Sequence, residues 1–149
     1  MIKYRIRNIV VIVILFLCFT ACAKTDKEKL DIFLTSEEYM IRRNTYGGIA
    51  GYYEEEFILK YGNHGDLLML EGEGTDYQSF VRVDEAKKKL LNKFIVESYK
   101  VNDTKKELSS SCLTGLDHEY IFKRGFTELR LIPDHKCDSL FEIILYDKH

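Results

Sequence analysis

Residues 120–131 have the sequence YIFKRGFTELRL, in which apolar and polar residues alternate on both sides of Arg124-Gly125. Alternation with a period of two is typical of half-buried strands, and a glycine between two such runs marks a hairpin turn. We therefore expect a β-hairpin that turns at Arg124-Gly125, in which Tyr120 faces Leu129. One apolar face of this hairpin comprises Tyr120, Phe122, Leu129 and Leu131.

The N-terminal half of the chain carries the same signal twice. Residues 37–43 and 52–61 alternate well enough to predict two strands, and Tyr39 and Ile41 share a face of the first. Gly62-Asn63-His64-Gly65 predicts the next hairpin turn. A turn centred on residues 63 and 64 places Leu59 opposite Leu68 and Phe57 opposite Leu70.

One segment has the helical period instead. Asp84 is a candidate N-cap, and the predicted helix covers residues 85–98. Its apolar stripe comprises Ala86, Leu90, Leu91, Phe94, Ile95 and Tyr99. Residues 140–146 predict a last strand, although their spacing also allows a short helix. The fold class is therefore α+β: a small antiparallel sheet of hairpins with one packed amphipathic helix.

The N-terminus predicts export. Lys3, Arg5 and Arg7 precede an apolar run from Ile9 to Phe19. Such a run is shorter than the roughly 20 residues that span a bilayer, so a signal peptide is favoured over a membrane anchor. The small residues Thr20 and Ala21 then lead directly into Cys22.

Residues 19–22, FTAC, resemble the lipobox of bacterial lipoproteins, with Phe19 where the pattern prefers leucine. The resemblance implies cleavage before Cys22 and a diacylglyceryl group on that cysteine, which holds the protein on the cell membrane or the outer membrane. It implies a signal peptide over residues 1–21, a lipidated tether over 22–30 and a single extracytoplasmic domain over 31–149. The alternative is an ordinary secretory signal cut a residue or two later.

Charge limits the classes of partner. Loss of residues 1–21 removes three basic residues and no acid, which changes the net charge from −2 to −5. A mildly acidic chain with mixed signs argues against a nucleic-acid partner, which would need a basic face. It also argues against electrostatic adhesion to anionic lipid, so the acyl chains must supply the membrane contact.

Two cysteines remain in the predicted domain, because Cys18 leaves with the signal peptide and Cys22 carries lipid. When the hairpin ladder of residues 120–131 is extended outward, Cys112 falls opposite Cys137. Two thiols in an oxidising compartment usually pair, so we predict a disulfide between them. Closing a loop of about 25 residues contributes roughly 3 kcal/mol in the chain-entropy model. A zinc site of Cys112, His118, His135 and Cys137 is the alternative, but its spacings do not match the usual close pairs.

Other clusters favour ordinary structural roles. Residues 71–76, EGEGTD, offer oxygen ligands for calcium but lack the full EF-hand pattern. Glu54-Glu55-Glu56 is typical of a solvated strand face, in which only Glu55 points toward the apolar side. No motif for a catalytic nucleophile, a phosphate loop or a dinucleotide is found. We expect neither an enzyme nor a cofactor, and no metal site.

The segment Gly47-Gly48-Ile49-Ala50-Gly51 follows one predicted strand and opens the next. It is similar to the Gly-Gly-Phe-Ala-Gly-like segment of the emfourin-like inhibitors of thermolysin-type metallopeptidases, which are small α+β domains with a helix and later hairpins. The layout is comparable over residues 37–145, and the two cysteines and the lipid anchor are departures from it. The resemblance implies a protein-binding module, with a peptidase inhibitor as one form. A structural or immunity-type envelope lipoprotein is the alternative, and a small metal-dependent hydrolase is a third.

Overall fold

A computed structural model describes residues 24–49, 51–60, 66–71, 78–102, 108 and 115–146. Within them lie three helices and six strands. The elements in chain order are α1 (Asp26–Thr35), β1 (Glu38–Gly47), β2 (Gly51–Lys60), β3 (Asp66–Glu71), β4 (Gln78–Arg82), α2 (Glu85–Val101), β5 (Asp117–Arg124), β6 (Thr127–Leu131) and α3 (His135–Tyr146). The strands form one antiparallel sheet in the order β4-β3-β2-β1-β5-β6. This arrangement confirms the α+β class.

Each helix begins at a side chain that satisfies its first backbone N–H groups. Thr25 and Glu28 form a capping box at α1, and the side chain of Asp84 accepts a hydrogen bond from the N–H of Lys87 at α2. Asp134 accepts from the N–H of Cys137 at 2.8 Å, at the start of α3. Such caps contribute about 1 kcal/mol each, and they explain why the helices begin where they do.

The three helices cover one face of the sheet. The core combines side chains of that face with the apolar stripes of α1, α2 and α3, and Phe94 of α2 lies at its centre. Its ring contacts three others, with centroid distances of 4.8 Å to Tyr120, 5.2 Å to Phe141 and 6.5 Å to Phe122.

Among the described residues, no helix is both long enough and apolar enough to cross a bilayer.

The register of the β5–β6 hairpin differs from the prediction by two residues. Tyr120 pairs with Leu131, not Leu129, because the turn is centred on Gly125-Phe126 rather than on Arg124-Gly125. Gly125 has φ of +57°, and a glycine with positive φ at the first central position is the pattern of a type II′ turn. The predicted apolar face survives, since a shift of two residues leaves every side chain on the same side of the sheet.

The predicted disulfide is not supported. Cys137 is a free, buried thiol, and its predicted partner Cys112 lies outside the described residues. The ladder ends at Leu131, and Cys137 lies in the first turn of α3. The extended register that placed it opposite Cys112 therefore does not exist at that position.

Three further expectations are corrected. Leu59 pairs with Leu67 and Phe57 with Met69, which is one residue away from the predicted β2–β3 register. Residues 140–146 belong to helix α3 rather than to a last strand, so three helices pack on the sheet where one was predicted. The predicted tether of residues 22–30 overlaps α1, which begins at Asp26 and buries Leu30.

Cys137 is expected to react with a maleimide only after unfolding. Burial, followed by the hydrogen bond with Asp134, raises the pKa of this thiol to about 11, so little of the reactive thiolate is present at neutral pH. The check is mass spectrometry of the Cys137 peptide after labelling, without reductant, of the native and then the urea-unfolded protein. Failure to label in urea unless a reductant is added would mean that a disulfide is present after all.

Candidate functional site

The β1–β2 hairpin ends in a tight turn formed by the predicted glycine segment. We call its described residues, Gly47, Gly48, Ile49 and Gly51, the glycine tip; Ala50 lies outside the described residues. The three glycines have φ of +92°, +66° and +74° in chain order, a region that other residues rarely adopt. The N–H of Gly51 donates to the carbonyl oxygen of Gly48 at 3.3 Å. The glycines therefore set the shape of the turn.

The glycine tip presents an isoleucine to solvent. Ile49 is 103% exposed, and three more apolar or aromatic side chains at the same end of the sheet are exposed by two fifths to one half: Tyr52, Tyr53 and Leu116. The strands beneath the tip pair along all ten of their residues, from Glu38–Lys60 to Gly47–Gly51. Ile49 is thus held at the end of a long, regularly paired hairpin.

The Leu116 side chain lies beside the glycine tip. A Cβ atom added to Gly48 would lie 2.8 Å from Cδ2 of Leu116, closer than a real Cβ contact allows. The positive φ favours glycine at position 48, and for any larger residue the half-exposed Leu116 side chain would have to move aside. Leu116 immediately precedes β5, so the tip and the start of β5 form one surface.

A charged cluster lies behind this surface, between the sheet and α3. Arg43 Nε donates to Glu55 Oε2 at 2.6 Å, and a second nitrogen of the same guanidinium donates to Glu142 of α3. The Arg43 and Glu55 side chains are only 4% and 10% exposed. Burial acts to lower the pKa of Arg43, but the hydrogen bond to Glu55 and the nearby negative charges, including those of Glu55 and Glu142, together outweigh it and the net shift is upward. The guanidinium therefore stays charged and fastens α3 to β1 and β2.

His118 and Tyr120 of β5 bind the same helix. His118 Nδ1 lies 2.5 Å from one carboxylate oxygen of Asp138, and the Tyr120 hydroxyl donates to the other at 2.5 Å. Burial acts to raise the pKa of Asp138, but these hydrogen bonds lower it overall, so the group remains a carboxylate at neutral pH. Thr45 pairs with His118 across the strands, yet its buried hydroxyl has no hydrogen-bond partner among the described residues. The cluster therefore lacks the nucleophile–base hydrogen bond of a catalytic triad.

The face of the sheet opposite the three described helices carries a second network. Glu119 accepts from Asn44 Nδ2 at 2.8 Å, from the Tyr46 hydroxyl at 3.1 Å and from Arg130. Burial acts to raise the pKa of Glu119, but the three donors lower it. The Tyr46 ring also packs on Tyr52, with centroids 5.1 Å apart. These contacts give the end of the sheet next to the glycine tip an aromatic and polar surface.

The remaining predicted sites contribute less. Cys22 and Cys112 lie outside the described residues, as does most of the calcium candidate of residues 71–76. His118 pairs with Asp138, and His135 is exposed at the start of α3. Within the described ranges, no group of three His, Cys, Asp or Glu side chains is placed to hold a metal ion.

A shallow groove lies at the opposite end of β1. Its volume is about 450 Å³, and it is lined by Ile32, Thr35, Ser36, Glu37, Glu38 and Arg124. The lining is mostly polar and open to solvent, which is unlike the enclosed apolar cleft of a small-molecule site. The glycine tip, with its exposed isoleucine, is therefore the stronger candidate.

Sequence reasoning missed several parts of this surface. It singled out the glycines but not Leu116, and it placed Glu55 on the apolar side of its strand without predicting the ion pair with buried Arg43. Alternation alone would have placed Arg43 on the same face as Tyr39 and Ile41, and this pattern could have predicted its burial.

Comparisons with protein-family models, with curated proteins and with solved structures found no match for this chain.

Proposed function

We propose that the chain is an exported lipoprotein, anchored through Cys22, whose domain binds a protein partner through the glycine tip. The observation that carries the proposal is the full exposure of Ile49 on a hairpin whose strands pair along their whole length. Because the backbone that carries Ile49 is already ordered, little conformational entropy is lost when this side chain binds. A few such residues can therefore supply most of the binding energy of an interface. The domain acts by binding rather than by catalysis.

The partner that the tip fits is a protein with an apolar pocket. Ile49 lies at the same end of the sheet as the partly exposed Tyr52 and Leu116, and the cores of protein interfaces are rich in apolar and aromatic side chains. The similarity of residues 47–51 to the emfourin-like segment favours a thermolysin-type metallopeptidase as that partner. In this form the domain is a membrane-held peptidase inhibitor.

Ile49→Ser is expected to weaken partner binding by about 10- to 100-fold, the loss that follows from no longer burying a large aliphatic side chain. The measurement is the residual activity of a thermolysin-type metallopeptidase titrated with the detergent-solubilised protein. Phe126→Ser is the matched control, since Phe126 is equally exposed but lies on the β5–β6 turn. It should inhibit as the unmodified protein does.

Three results would count against the proposal in different ways. An unaffected peptidase at large excess of the protein would remove the inhibitor form. A stoichiometric partner captured equally by the Ile49→Ser variant would move the binding surface away from the glycine tip. Recovery of the mature protein without lipid on Cys22 would remove the anchor.

A further inference from the structure

The β5–β6 turn projects a phenylalanine into solvent at the end of the sheet away from the glycine tip. Phe126 is 110% exposed, and it is the second central residue of a two-residue turn whose first is Gly125. Its neighbours Arg124 and Thr127 begin and end the paired part of the hairpin. A large aromatic ring that is fully exposed on a turn is available for contact with a lipid bilayer.

The start of the described chain lies beside this turn. Lys24 Nζ donates to Thr127 Oγ1 at 3.1 Å, and Thr127 is the residue after Phe126. The capping box at Thr25 and the burial of Leu30 and Phe33 fix α1, which follows directly. Cys22 precedes Lys24 by two residues, a reach of at most about 7 Å for an extended chain. A lipid on Cys22 therefore enters the membrane at the end of the domain that carries the β5–β6 turn.

We infer that the β5–β6 turn is the membrane-facing end of the domain and that Phe126 inserts into the lipid interface beside the acylated Cys22. The inference rests on the proposed lipid anchor and adds to it an orientation of the domain. The partner is the bilayer itself, where an exposed apolar ring such as that of Phe126 can be buried at the boundary between headgroups and acyl chains.

The charges around the turn identify the apolar ring as the source of the contact. Lys123 is paired with Glu128 at 3.3 Å, and the groove beside Arg124 carries Glu37 and Glu38. Because the two signs are mixed, attraction to anionic headgroups contributes little. Binding should therefore depend weakly on salt and on the content of anionic lipid.

The orientation has a consequence for the glycine tip. Met40, near the start of β1, pairs with Lys123 close to the turn, whereas Tyr46 pairs with Asp117 at the other end. A ten-residue strand such as β1 spans roughly 33 Å. When Phe126 contacts the membrane, Ile49 points away from it and toward partners in the aqueous compartment.

The chain contains no tryptophan, so Phe126→Trp and Ile49→Trp each introduce a single tryptophan, whose emission can be excited separately from that of the tyrosines. Both variants are made as full-length lipoproteins and reconstituted into vesicles of equal parts phosphatidylethanolamine and phosphatidylglycerol. We expect blue-shifted emission from the Phe126→Trp variant and strong quenching when brominated lipid is included. The Ile49→Trp variant should emit as a solvated indole and should not be quenched.

The lipid on Cys22 is measured separately, by mass spectrometry of the N-terminal peptide from the same vesicles. Acylated Cys22 with an unquenched Phe126→Trp variant would overturn the orientation and leave the anchor intact. Unmodified Cys22 in a protein that stays in solution would overturn both. Equal quenching of the two variants would also overturn the orientation, because the domain would then lie flat or tumble on the surface.

Discussion

Arg43→Met is expected to lower the free energy of unfolding by about 3–5 kcal/mol, the usual result of removing one partner of a buried ion pair. Arg42→Met, at the next position of the same strand, should lower it by about 1 kcal/mol or less. The two arginines have equivalent partners on β2, since Arg43 pairs with Glu55 and Arg42 with Glu56, both at 2.6 Å. The difference in cost comes mainly from the burial of the Arg43–Glu55 pair.

The reason lies in what each substitution leaves behind. Glu55 is 10% exposed as a side chain, so without Arg43 its carboxylate is buried and uncompensated, whereas Glu56 is 36% exposed and can be solvated. Arg43 also lies over the rings of Phe57 and Phe141, with its guanidinium carbon 5.6 Å and 5.7 Å from their centroids. Methionine fills part of that space but supplies no charge.

Urea unfolding of the two variants and the unmodified protein measures both effects. The double variant Arg43→Met, Glu55→Leu should recover most of the loss, because it removes the uncompensated carboxylate as well. Equal costs for Arg43→Met and Arg42→Met would contradict the burial of the Arg43–Glu55 pair. A double variant as unstable as the single one would show that packing, rather than charge, sets the cost.

The sequence predicts those parts of the fold whose pattern is local and complete. Helix α2 has a cap at Asp84 and an apolar stripe around Phe94, and both are found where expected. Alternation places Tyr39, Ile41, Phe57 and Leu59 on one face, and all four are buried. In each case, neighbouring positions repeat the same signal, so one ambiguous residue does not change the outcome.

Register and buried charge are harder to predict, because both depend on contacts distant in sequence. The centre of the β5–β6 turn lies one residue later than predicted, which shifts the strand pairing by two residues, because positive φ at Gly125 suits the first central position of the turn rather than the second. Arg43 lies on the apolar face of β1, and only its match with Glu55 and Glu142 makes that burial tolerable. The spacing of residues 140–146 fits both a strand and a helix, and packing on the sheet selects the helix.

The same contrast applies to the candidate site. The three glycines could be identified from sequence because a turn requires them, and their positive φ values agree with that reasoning. The exposure of Ile49 and the approach of Leu116 to Gly48 depend on where β5 begins beside β1. A motif of five residues predicts the turn but not the surface built around it.

Phe94→Ala is expected to lower the free energy of unfolding by about 3–5 kcal/mol, through lost burial and the cavity left behind. Phe94 is fully buried, and its ring contacts Tyr120 and Phe122 of β5 and Phe141 of α3. Phe126→Ala is the matched control, since it is the same substitution at a fully exposed position, and it should change stability by less than about 0.5 kcal/mol.

Denaturant unfolding gives both values, and hydrogen exchange shows where the loss falls. Phe94 joins α2 to the strand that carries His118 and Tyr120, the two side chains that hold Asp138 of α3. Its removal should therefore speed exchange in α2, β5 and α3 while leaving the β1–β2 hairpin protected. Faster exchange at the β1–β2 hairpin as well would mean that the glycine tip depends on the helices for its stability. Loss of partner binding in a core variant would then reflect this loss of stability, and it would not show that the mutated residue belongs to the binding surface.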